Sequence, residues 1–152
     1  MMIWRWGPPA ALSLVCLLGV GERLLSGPPI TARAGQRTPA PPEAFALLDD
    51  LEIGEKLAGW TVLGLTGPRD GALQLDVARD DIRFSITVAA RGAVQFPAPR
   101  TTARYDLYYG HPHPRGTEIP DNAIRAIMAG IERRVRRNEA DVVVPGLSLP
   151  ET

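Results

Sequence analysis

Strict alternation between Ile82 and Ala90 constrains this chain more than any other feature. Ile82, Phe84, Ile86 and Val88 fall on one side of an extended backbone, and Arg83, Ser85 and Thr87 fall on the other. Successive side chains of a strand point to opposite faces, so the pattern predicts a strand with one face buried and one face wet. Ala72 to Arg79 repeats it, with Leu73, Leu75 and Val77 opposed to Gln74 and Asp76. Asp80-Asp81 between the two runs has the length and composition of a two-residue hairpin turn. The result is an antiparallel sheet whose apolar face something must cover.

The cover stands further along the chain. Ile124, Ile127, Met128, Ile131 and Val135 recur at helical spacing and form a stripe wide enough for that face. Pro120, with Asp121 and Asn122 beside it, opens this helix. Arg133, Arg134, Arg136 and Arg137 crowd its other end, where positive charge suits the exposed carbonyls. Glu43 to Leu51 predicts a short helix with Phe45, Leu48 and Leu51 on one side. Two more strands complete the pattern. Trp60 to Thr66 runs into the turn signal Gly67-Pro68-Arg69-Asp70-Gly71, and Arg104 to Tyr109 follows a loop marked by Pro97 and Pro99. The expected fold is α+β: a four-stranded antiparallel meander with a C-terminal amphipathic helix and a short N-terminal helix packed on one face.

This domain spans 43–140, a length that holds a workable core. Ahead of it, 1–34 reads as a signal peptide or N-terminal membrane anchor. Ala10 to Val20 is an uncharged apolar run preceded by Arg5, and it is short for a spanning helix. Ala32-Arg33-Ala34 has the small-x-small form of a cleavage site, although Glu22-Arg23-Leu24-Leu25 lengthens the segment before it. Two forms of export follow. Either the chain is cleaved after Ala34, or it keeps an anchor with Trp4 and Trp6 at the membrane interface. Cys16, the only cysteine, lies in this run without the small and aliphatic residues a lipidation site needs before it. A Pro-rich linker covers 35–42 and an extended tail covers 141–152. The expected location is exported: periplasmic, secreted, or anchored to the inner membrane.

Charge and cysteine content then exclude whole classes of function. The chain carries 17 basic and 17 acidic residues, and beyond residue 34 the balance is mildly acidic. Such a module has no electrostatic basis for holding nucleic acid. The domain is cysteine-free, which rules out an internal disulfide, a thiol nucleophile and Cys-ligated metal. No phosphate loop, HExxH pair or nucleophile elbow is present in the sequence. No catalytic residue is assigned.

The residues most suited to binding lie just after the fourth expected strand. His111-Pro112-His113-Pro114 holds both histidines of the chain, and the prolines push each preceding residue towards extended geometry. With Tyr108 and Arg115 they form a candidate binding surface, because tyrosine and arginine on a rigid loop match the make-up of recognition sites. The same two imidazoles, His111 and His113, are candidate ligands for Zn or Cu, with oxygen donors needed to complete the set. Alternation also places Tyr105 and Tyr109 together on the covered face, with Tyr108 exposed. The function expected is a small non-enzymatic binding or accessory module at the cell envelope, with a protein or small-molecule partner. The alternatives are a Zn or Cu protein built on His111 and His113, and a hydrolase or transferase with an unfamiliar site.

Overall fold

The computed structural model describes residues 38–147. The segment read as a signal or anchor, the start of the linker and the end of the tail lie outside them. The described elements are helix α1 (Pro42–Leu47), strands β1 (Lys56–Leu57), β2 (Trp60–Arg69), β3 (Ala72–Arg79), β4 (Ile82–Ala90), β5 (Arg100–Thr101) and β6 (Tyr105–Tyr109), and helix α2 (Asp121–Asn138). The fold is α+β with one curled antiparallel sheet and a C-terminal helix.

The sheet has six strands in the order β1-β2-β3-β4-β6-β5, which corrects the expected four-stranded meander. The additional strands β1 and β5 are two residues each. A strand that short has no periodicity to read, and each has its ladder pairing with the longer strand beside it. The crossover at the far edge, with β5 outside β6, breaks the simple meander order.

Local chemistry explains the hairpins. Arg79 pairs with Ile82, leaving Asp80-Asp81 as a two-residue turn, with Asp80 at φ 54°. Arg69 pairs with Ala72 across Asp70-Gly71, whose φ values of 52° and 73° are those a tight hairpin turn requires. The expected five-residue turn after Thr66 is therefore mostly strand, with a bulge between Thr66 and Arg69. Gly67 sits in that bulge at φ 107°, and a Cβ there would meet the Ala72 carbonyl oxygen at 2.8 Å. Only glycine fits that position.

Helix α1 ends at Leu47, short of the expected Leu51. Asp49 and Asp50 take up left-handed φ values of 65° and 51°, and their amides return to the carbonyls of Ala46 and Phe45. Aspartate tolerates that conformation, so the chain turns off the helix there. Leu48 and Leu51 are nevertheless buried beside Ala44 and Leu47.

One core joins the inner face of the sheet to both helices. Leu73, Leu75, Val77, Phe84, Ile86, Val88, Tyr105 and Leu107 meet Ile127, Met128, Ile131 and Val135 of α2. Trp60 joins them, its ring edge-on to Phe84 with centroids 4.9 Å apart and planes at 84°. The indole N–H of Trp60 is buried without a hydrogen-bond partner among the described residues. Both ends of the described chain also pack on this unit. Thr38 and Ala40 bond to Gly67 and Leu65 of β2, and Val144 and Leu147 are buried in the core. Among the described residues, no helix is long and apolar enough to cross a membrane.

The arginines at the end of α2 are struts. Arg134 pairs with Glu55 and donates to the Leu48 carbonyl at 3.1 Å, Arg137 pairs with Asp49, and Arg136 pairs with Glu132. Asp49 and Glu55 thus neutralise Arg137 and Arg134 at the basic end of α2. At the C-cap, Glu139 is 8% exposed and accepts bonds from the Thr102 hydroxyl at 2.6 Å and the amides of Arg104 and Ala103 at 3.1 and 3.3 Å. That carboxylate ties the helix end to the β5–β6 connection.

Candidate functional site

The open face of the sheet carries a connected polar cluster. Asp76 of β3 lies opposite Ser85 of β4, and alternation points both away from the core. The Ser85 hydroxyl donates to Asp76 Oδ1 at 2.7 Å. The Gln74 side-chain amide donates to the same oxygen at 2.8 Å and to Ser85 Oγ at 3.0 Å. Thr66 Oγ1 adds a bond of 3.4 Å to the Gln74 carbonyl.

The histidine loop forms a wall beside this cluster. Past Tyr109, the Gly110 amide donates to the Ser85 carbonyl at 2.8 Å. The chain then bulges by one residue, and His113 and Arg83 exchange both backbone bonds, at 2.7 and 2.9 Å. A residue pair that exchanges both bonds sits face to face, with its side chains on the same side of the sheet. His113 and Arg83 therefore stand together at the rim of the open face. The bonds fix this end of the loop in place, and Thr117 closes it with a 3.3 Å bond to the Pro114 carbonyl.

Between wall and sheet lies a groove of about 510 Å³ lined by Leu63, Gly64, Thr66, Asp76, Arg83, Phe84, Ser85, His111 and His113. A second groove of about 820 Å³ runs along the other side of the loop, from His111 to Glu118. Both histidines line both grooves and both are exposed. Arg115 lines only the second. Tyr108 stands apart from both: its hydroxyl donates to the Phe96 carbonyl at 3.0 Å. Burial, and then the nearby Asp106 carboxylate, hold its ionisation above the ordinary tyrosine range. The structure thus gathers His111, His113 and Arg115 on one loop and leaves Tyr108 outside the grooves. Tyr105 is buried on the covered face, whereas Tyr109, on that same face by register, is 47% exposed.

The chemistry open to this arrangement follows from where its protons lie. In a Ser-His-Asp triad an imidazole stands between hydroxyl and carboxylate and takes the serine proton. Here the Ser85 hydroxyl bonds directly to Asp76, so its proton is committed to the carboxylate. For metal, among the described residues no three histidine, cysteine or acidic side chains converge as a ligand set. Arg83, Asp76, Ser85, Gln74 and Leu63 are site residues that reading along the chain did not single out. A signal for three of them was present: a two-residue turn at Asp80-Asp81 forces Asp76 opposite Ser85, with Gln74 on the same face.

The chain matches no family model, no curated protein and no solved structure.

Proposed function

We propose that this protein is a small exported, non-enzymatic binding module that works at the cell envelope and takes its partner on the open face of the sheet, beneath the His111–Arg115 loop. The observation that carries the reading is the paired backbone bonding of Arg83 and His113. It holds the loop over a concave, polar surface before any partner arrives, and a preformed site loses less entropy on binding. The exported location rests on the N-terminal sequence pattern, with cleavage after Ala34 or retention of the anchor as its two forms.

Two measurements test the reading. Fractionation with N-terminal sequencing should recover the protein in the envelope or outside the cell; a cytoplasmic chain starting at Met1 overturns the location. Chemical-shift mapping of the labelled chain against mixed small polar ligands and short peptides should place responses at Leu63–Thr66, Arg83–Ser85 and His111–Arg115. Replacing His111, His113 and Arg115 with alanine should abolish them while the melting temperature holds. Responses confined to other surfaces overturn the site.

A second reading draws on the two imidazoles that share each groove: Zn²⁺ or Cu²⁺ held by His111 and His113, with solvent filling the remaining positions. Elemental analysis of untagged protein should then find the metal, and adding either ion should raise the melting temperature. Neither effect appearing removes this reading.

A further inference from the structure

Arg83 differs from most arginines of the fold. Arg100, Arg134, Arg136 and Arg137 each reach a carboxylate, and Arg91 donates to the Thr102 carbonyl. The Arg83 guanidinium makes no hydrogen bond or ion pair among the described residues, although its backbone is bonded on both sides to His113. It lines the groove on the open face together with His111 and His113, whose ring nitrogens are likewise without partners among the described residues. Three side chains with spare N–H capacity therefore face one cavity from two elements whose separation is fixed.

We propose that this groove binds a carboxylate carried on a small apolar body, with the Arg83 guanidinium as its anchor. The proposal rests on the binding reading above and names the ligand class of that site. A guanidinium presents a planar fork of donors that matches a carboxylate bidentately. Leu63, 42% exposed on the opposite wall, offers an apolar surface for the rest of the ligand. Asp76 lies in the same groove, bonded to Ser85 and Gln74. The second charge of a dianion such as a phosphate monoester brings a larger desolvation cost along with its attraction to Arg83, so the singly charged carboxylate is the better fit.

The test uses the full chain, with EDTA present to exclude a metal bridge. It titrates benzoate, phenyl phosphate and benzyl alcohol and follows amide shifts at Leu63–Thr66 and Arg83–Ser85. Benzoate should bind there, more tightly than phenyl phosphate at pH 7.5. Arg83→Gln should weaken benzoate at least about tenfold, the loss of a charge-assisted pair. Arg83→Lys, which keeps the charge and loses the fork, should fall between. Unchanged affinity in Arg83→Gln, or tighter binding of phenyl phosphate, overturns the proposal. Groove shifts produced by benzyl alcohol but not by benzoate overturn the carboxylate and leave the binding module standing. Groove residues that respond to none of the probes overturn the carboxylate here, and the same silence towards peptides removes the module as well.

Discussion

The two faces of the sheet are made from alternate residues of the same strands, yet they obey different rules. On the covered face, Leu73, Leu75, Ile86, Val88 and Leu107 are fully buried, and polar side chains are absent from that row. On the open face, Gln74, Asp76 and Ser85 bond to one another, and Arg83 is left with donors to spare. Burial imposes a desolvation penalty for each unmatched polar group, and among the side chains of the described residues only the Trp60 indole N–H bears it. A face in water carries no such penalty. Chemistry that the fold does not need can accumulate only there, and that is where the candidate site lies.

Adjacent residues of β4 give the hardest test of this contrast. Ile86→Ala should cost about 2–5 kcal/mol through lost burial and a cavity, whereas Thr87→Ala should stay within about 0.5 kcal/mol. Chemical denaturation of the two variants measures both, and similar costs would erase the distinction. Glu139, which with Asp106 is one of two buried carboxylates among the described residues, sharpens it, because three donors meet it. Glu139→Ala should cost about 2–3 kcal/mol, since Thr102 and two amides lose a charged acceptor; a cost below that of Thr87→Ala would show that the helix end does not depend on it. Ser85→Ala, on the open face, should cost about 1 kcal/mol or less, because water can replace the lost donor to Asp76.

The smallest effect concerns pH. Burial raises the ionisation of Tyr105 above the ordinary tyrosine range, with Arg104 opposing and Glu139 adding to the shift. The folded state therefore keeps this proton after the unfolded chain has begun to lose it. The sign follows: the contribution is fully present below about pH 10 and is lost as pH rises further. Tyr105→Phe should change stability by no more than about 0.5 kcal/mol at pH 7 and flatten the decline on the alkaline side. An unaltered alkaline slope in urea titrations would assign that decline to other groups.

The covered face was legible in the sequence and the site only in fragments. Alternation in β3 and β4 and the helical stripe of α2 are repeated signals, and each residue in them reports the same geometry. The Asp80-Asp81 turn goes further, because a two-residue turn sets every pair behind it, Asp76 with Ser85 included. The attachment of the histidine loop had no comparable signal. It depends on a one-residue bulge after Tyr109 that brings His113 beside Arg83, thirty positions earlier in the chain. Tyr109 shows the limit of parity reasoning. It points to the covered face, but the cover is thin there, with Ile124 only half-buried at the start of α2. Val144 and Leu147 enter the core from a segment too short to display a period.

The short outer strands have a consequence for behaviour at high concentration. On one side, the exposed edge is β1, two residues long, with Gly54 and Gly59 on either side of it and Thr38–Ala40 covering the next stretch of β2. On the other side, β5 is also two residues long and follows Pro97 and Pro99, which have no amide hydrogen to offer. A neighbouring molecule arriving edge-on finds too few free backbone groups to continue the ladder. Fibril-like stacking is thereby discouraged at both margins, and a crowded compartment can hold many copies without their sheets merging.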